Sequence, residues 1–89
     1  MSVRTIYIRN KLGLHARASA RFVTTASRFA STITLGRGDV EVNGKSIMGI
    51  MMLAAAKGSE LTLRAEGEDA EAAMDALEDL VNARFGEAE

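Results

Sequence analysis

His15 is the only histidine in the chain, and Arg17 follows it two residues later. Around them runs Asn10-Lys11-Leu12-Gly13-Leu14-His15-Ala16-Arg17-Ala18-Ser19-Ala20. An irregular stretch, with Gly13 free to take a backbone conformation that other residues avoid, gives way there to a helical pattern. A helix start leaves backbone N–H groups unpaired and carries positive dipole, which suits an anion. Neutral imidazole is a nucleophile near neutral pH. A ring nitrogen of His15 can therefore accept a phosphoryl group, and Arg17 can neutralise it. One histidine and no cysteine argue against a zinc site and exclude disulfide and thiolate chemistry. Neither glycine cluster, Gly36-Arg37-Gly38 nor Asn43-Gly44, has the spacing of a nucleotide loop, so no metal or cofactor is expected.

Ser46 opens a second helical stretch, Ser46 to Leu53, as its N-cap. Gly49 stands where a capping box would hold Glu or Gln, so the cap is half made. The stretch is too short to bury Ile47, Met48, Ile50, Met51 and Met52 on one side, so part of it faces solvent or a partner. Methionine is adaptable and fits a surface that receives several partners.

The elements that must position these residues follow from periodicity. Val3 to Arg9 reads as a strand, with Ile6 and Ile8 on one face and Tyr7 on the other. Ala16 to Ser27 or Arg28 reads as a helix with Ala16, Ala20, Val23 and Ser27 at helical spacing, Phe22, Ala26 and Phe29 beside them, and Arg17, Arg21 and Arg28 outward. Thr32 to Leu35 is a strand with Ile33 and Leu35 inward. Gly36-Arg37-Gly38-Asp39 is a hairpin turn, and Val40 to Val42 is the return strand. Leu61, Leu63 and Ala65 mark a half-buried strand. Asp69 or Glu68 caps a last helix with Ala70, Ala73, Met74, Leu77, Leu80 and Val81 as its stripe and Arg84 near its C-terminal end. Gly86 ends that helix, and Glu87-Ala88-Glu89 is expected to fray. The order βαββαβα, with every strand apolar on one face, gives an α+β open-faced β-sandwich: a four-stranded sheet with three helices on one face.

Eighty-nine residues allow one domain, taken as 1–89, with a modest core. No run approaches a membrane span, and the first residues lack the apolar stretch of a signal peptide, so a cytoplasmic protein is expected. Net charge is −1, but residues 1–37 hold seven Lys/Arg and no Asp/Glu, while all twelve acids lie beyond. The basic half contains His15, so partners there should be acidic or phosphorylated. A small ligand- or RNA-binding module is the competing reading of that half. Few aromatics and a pI of 5.8 argue against nucleic acid. The tripeptide Arg37-Gly38-Asp39 is read as turn chemistry, not as an adhesion ligand.

Gly13-Leu14-His15-Ala16-Arg17 resembles the active-site signature of the histidine-containing phosphocarrier (HPr) family of the bacterial phosphotransferase system. Lys45-Ser46-Ile47-Met48-Gly49 resembles the region of that family's regulatory serine. The resemblance covers nearly the whole chain and implies an antiparallel sheet. It implies that His15 accepts phosphate on Nδ1 from phosphorylated enzyme I and passes it to an enzyme IIA-type acceptor, a carrier's role more than a stand-alone enzyme's. It further implies phosphorylation of Ser46 by an HPr kinase/phosphorylase. Docking of donor and acceptor would fall on Ile47, Met48 and Met51 with Ala16, Arg17 and Ala20, on a monomer, in sugar uptake or nitrogen regulation. The family commonly has Pro directly after the arginine, where this chain has Ala18. The alternative function is a regulatory module that acts on a transcription factor or enzyme through its Ser46-phosphorylated form.

Overall fold

The computed structural model describes residues 1–89. In chain order the elements are β1 (Ser2–Tyr7), α1 (Ala16–Ala26), β2 (Thr32–Arg37), β3 (Val40–Asn43), α2 (Ile47–Met52), β4 (Glu60–Glu66) and α3 (Ala70–Asn82), then a 3₁₀ turn, Arg84–Gly86. The strands form one sheet in the order β1-β4-β2-β3, antiparallel at every pairing. β4 thus enters between β1 and β2, which run parallel to each other and are joined through α1.

Alternation fixes which face is covered. Ile6, Ile33, Leu35, Leu61, Leu63 and Ala65 point inward and join Phe22, Ile50, Met74, Leu77, Val81 and Phe85 in one buried cluster. Outward neighbours such as Thr5, Tyr7, Glu60 and Arg64 stay exposed. All three helices therefore lie on one face, and the βαββαβα sandwich is the observed fold. Full burial of a Leu, Ile or Phe side chain contributes about 1.5–3 kcal/mol, so this cluster is the main source of stability.

Four local expectations need correction. The buried stripe of α1 is Ala18, Ser19, Phe22 and Ala26, while Ala16 is exposed and Ala20 and Val23 are half-buried. Phe22 carries the largest apolar surface on the helix, and its burial sets the helix's rotation. The hairpin loop is only Gly38-Asp39; Gly36 and Arg37 remain in β2, with Arg37 paired to Val40. Gly38 has φ +59°, as a two-residue loop with Gly first requires. Asp69 stands at the N-cap of α3, yet its carboxylate turns away from that helix. It accepts from the backbone N–H of Ala30 at 2.8 Å, from that of Ser31 at 2.9 Å and from the Ser31 hydroxyl. The Ser31 hydroxyl first, then the Ala30 N–H, holds the Asp69 carboxyl below its ordinary pKa. Finally, Glu87 and Glu89 are bonded to His15 and Lys11, and Arg84 lies beyond α3.

At the N-terminal edge, Arg4 of β1 meets three carboxylates of α3, Glu71 at 3.0 Å, Asp75 at 2.8 Å and Glu78 at 2.8 Å. These three stand at i, i+4 and i+7, along one side of the helix, so one guanidinium reaches all of them. The contact ties the last helix to the edge strand.

Candidate functional site

The loop from Asn10 to Leu14 is held by its neighbours before it reaches His15. Leu14 N–H donates to Ala55 O at 2.9 Å, and Gly13 has φ +67° against the same backbone. Asn10 is fully buried and donates from Nδ2 to Gly13 O at 2.8 Å. The next residue but one, His15, is the N-cap of α1 with extended backbone, and its carbonyl accepts from Ser19 N–H at 2.9 Å. The buried Ser19 hydroxyl is satisfied by Leu14 O at 3.2 Å.

His15 makes no side-chain cap bond to the helix. An Asp or Ser at this position would have taken up a first-turn N–H itself. With His15 there, the N–H groups of Ala16 and Arg17 keep no intrahelical acceptor and remain available to an anion. The helix begins at Ala16 although Ala18 stands where a proline would preset its first turn. Arg17 is exposed and lines the same cleft as His15, with Lys11, Leu12, Glu87 and Glu89. The ion pairs of the chain involve Arg4, Lys11, His15 and Arg64, which leaves the Arg17 guanidinium uncommitted.

The residue that sequence reasoning missed is Glu87. Its Oε2 lies 2.6 Å from His15 Nε2, and its Oε1 accepts from Asn10 Nδ2 at 3.0 Å. The His15 side chain keeps 29% of its surface exposed and that of Glu87 only 14%. The Asn10 amide, and after it the His15 ring, lower the pKa of the Glu87 carboxyl against the opposing effect of burial. An ionised carboxylate can only accept, so the proton between the two groups belongs to Nε2. In the neutral ring, Nδ1 then keeps its lone pair. Asn10 spends both amide hydrogens on Gly13 and Glu87, and its Oδ1 has no partner.

Glu87 reaches the site because the chain reverses after α3. Arg84, Phe85 and Gly86 have φ of 57°, 55° and 79° in succession. For each non-glycine residue this left-handed conformation costs roughly 1–2 kcal/mol. The fully buried Phe85 ring offsets that cost, and Arg21 of α1 donates from Nη1 to Phe85 O. Lys11 N–H bonds Glu89 O at 3.0 Å, which completes a strap over the histidine loop. Seventy-two positions separate His15 from Glu87. Gly86 before two acids was the only local signal.

The second site is also built as a cap. Ser46 is the N-cap of α2, half-exposed, and its Oγ accepts from Gly49 N–H at 3.1 Å. On α2 only Ile50 is buried; Ile47, Met48, Met51 and Met52 are exposed, Met48 at 74%. The helix packs against α1, which carries Ala16 and Ala20.

A family model described as "PTS HPr component phosphorylation site" matches residues 3–83. Phosphocarrier protein HPr of Neisseria meningitidis (serogroup A / serotype 4A) is 56% identical over 89 residues, which span 100% of both chains. Among solved structures, HPr-C-His from Thermoanaerobacter tengcongensis superposes with a TM-score of 0.96 at 50% identity, covering 100% of each chain. An HPr dimer from the same organism gives a TM-score of 0.79 at 52% identity, over 98% of this chain and 100% of that one. The expected monomer does not fit that dimeric relative. No helix of this chain is long and apolar enough to cross a membrane.

Proposed function

The chain belongs to the HPr family of phosphocarrier proteins of the phosphotransferase system, and from that premise we propose that it accepts a phosphoryl group on Nδ1 of His15 from phosphorylated enzyme I and delivers it to an enzyme IIA-type acceptor. The contact between His15 Nε2 and Glu87 Oε2, at 2.6 Å, carries this reading. It supports a ring with its proton on Nε2 and a lone pair on Nδ1 for the attack.

The rest of the site supplies charge stabilisation, which dominates phosphoryl transfer. The free N–H groups at the start of α1 and the uncommitted Arg17 receive the phosphoryl oxygens. An exposed helix terminus contributes only about 0.3–1 kcal/mol, so the group is held without being trapped. Donor and acceptor dock in turn on Ala16 and Ala20 of α1 and on Ile47, Met48 and Met51 of α2. This supplies an apolar surface beside a basic one, matched to acidic partners.

Ser46 gives the second element of the reading. Its position at the N-cap of α2 beside Met48 makes it a site where phosphorylation by an HPr kinase/phosphorylase would add charge to the docking surface without unfolding the helix. A Ser46-phosphorylated form acting on a transcription factor or enzyme is compatible with the same geometry.

The test is incubation with enzyme I and phosphoenolpyruvate, followed by intact mass. A gain of one acid-labile phosphate, lost in His15→Ala while the fold survives, is the expected result. No gain, or the same gain in His15→Ala, overturns the assignment.

A further inference from the structure

The strap after α3 does more than close the molecule, because it ends on the far nitrogen of the reactive ring. Glu87 Oε2 is 2.6 Å from His15 Nε2 and its Oε1 is fixed by the buried Asn10 amide. Arg84-Phe85-Gly86 turns left-handed to bring it there, with Phe85 buried and its carbonyl held by Arg21. We propose that Glu87 is a positioning residue that keeps Nε2 of His15 protonated while Nδ1 carries the phosphoryl group, so that the group departs from neutral imidazole. This rests on the reading of His15 as the phosphoacceptor.

The chemistry balances without an added proton. In acceptance, the Nδ1 lone pair forms the N–P bond while the donor's bond to phosphorus breaks and its electron pair stays on the donor atom. The ring becomes a phosphorylated imidazolium, with Nε2–H still facing the carboxylate. In delivery, the Nδ1–P bond breaks, its electron pair returns to Nδ1, and the ring is neutral again with its proton on Nε2. Had Nε2 lost that proton in between, the leaving group would be imidazolate, a far stronger base and a poorer leaving group. A carboxylate in contact with Nε2–H opposes that loss.

The charged groups facing the ring are few. Lys11, Arg17, Glu87 and Glu89 line the cleft with His15. Lys11 lies 3.5 Å from Glu89, and Arg21 is engaged by Phe85 O. Of these groups, Glu87 is the one in contact with Nε2.

The experiment follows the His15 ring nitrogens by ¹⁵N NMR in the full chain, phosphorylated with enzyme I and phosphoenolpyruvate, through a pH titration. The rate of phosphate loss is read at each pH. In Glu87→Gln the phosphorylated ring should lose its Nε2 proton at a pH lower by about one unit, the smallest shift expected for losing an opposite charge at contact. Above both midpoints its phosphate loss should be slower by roughly tenfold, in proportion to the protonated fraction. Glu87→Asp, which restores the carboxylate one methylene short, should recover part of both. Phosphohistidine in the parent with equal titration midpoints in Glu87→Gln overturns the role of the strap alone. No phosphohistidine in the parent overturns the phosphoacceptor reading and this inference with it.

Discussion

The carbonyl oxygen of Ala55 occupies the space that a side chain on Gly13 would need: a Cβ on Gly13 would lie 2.3 Å from it and 2.9 Å from Ala56 Cα. The same oxygen accepts the Leu14 N–H at 2.9 Å. The segment after α2 and the segment before α1 are thus locked together one residue before His15. Both obstacles at Gly13 are backbone, which cannot rotate aside.

Gly13→Ala should therefore lose about 2–5 kcal/mol, from the left-handed φ and from overpacking together. Urea unfolding measures this, and a loss below about 0.5 kcal/mol, typical of an indifferent surface site, would refute the contact.

Ala54 presents the opposite case. It follows α2 with φ +49°, a conformation alanine adopts at a cost of about 1–2 kcal/mol. Arg37 holds it there, donating from Nη1 to Leu53 O at 3.0 Å and Ala54 O at 3.1 Å. Ala54→Gly relieves the strain but gives the unfolded chain about 0.4–1 kcal/mol of extra freedom. The net expectation is a stabilisation of up to about 1.6 kcal/mol, at roughly 4–8 °C per kcal/mol in Tm for a chain this size. A lowered melting temperature by calorimetry would contradict it.

These two residues show where sequence was legible. Gly13 announces itself, because glycine before a helical pattern signals an unusual backbone. Ala54 does not, since nothing in its side chain marks a left-handed residue. The strands were readable because Ile33 and Leu35, or Leu61, Leu63 and Ala65, alternate with polar neighbours. The rotation of α1 was misread because alanines spaced at 16 and 20 fit a stripe as well as 18, 22 and 26 do, and the larger apolar surface of Phe22 decided it. His15, Arg17 and Ser46 sit in local motifs, whereas Glu87 acts on His15 across the whole length of the fold. No periodicity carries such a contact.

Two carboxylates should make stability acid-sensitive. Asp69 and Glu87 both have pKa values lowered in the folded chain, by Ser31 and Ala30 in one case and by Asn10 in the other. Such groups stabilise the fold fully above the ordinary carboxylate pKa. The contribution is lost as pH falls through the lowered folded value. Asp69→Asn should thus be less stable than the parent at pH 7, and the gap should close in acid. A gap in Tm that stays constant from pH 7 to pH 3 would show that the charge on Asp69 is not what ties down Ala30 and Ser31.

Arg17→Ala should leave stability within about 0.5 kcal/mol, because the side chain is exposed and forms no ion pair. Losing one charge-assisted contact to a phosphoryl group, worth about 1.5–3 kcal/mol, should slow transfer from enzyme I by roughly 10- to 100-fold. Quenched-flow phosphorylation of the two proteins at equal concentration decides it; equal rates would remove Arg17 from the site.

Ser46→Asp should keep the fold and weaken docking. The Ser46 hydroxyl accepts from Gly49 N–H at 3.1 Å, and an Asp carboxylate can accept the same bond at a helix N-terminus. Stability should hold or rise by up to about 1 kcal/mol. The new charge stands immediately before Ile47 and Met48, both exposed, and within two turns of Met51. Residues 1–37 carry seven Lys/Arg and no acid, which matches acidic partners. A carboxylate among the docking residues opposes such a partner by repulsion and by the desolvation it must undergo. The effect should therefore appear as a raised carrier concentration for half-maximal phosphorylation of His15. It should shrink with salt, since exposed charges are screened over about 10 Å at 0.1 M. Enzyme I-dependent phosphorylation measured against carrier concentration at low and high ionic strength, beside a melting curve, separates the steps. Parental apparent affinity at low salt would refute the charge switch. A lowered melting temperature would instead refute the equivalence of Asp and Ser at the cap, and a loss unchanged by salt would place the effect in shape and not in charge.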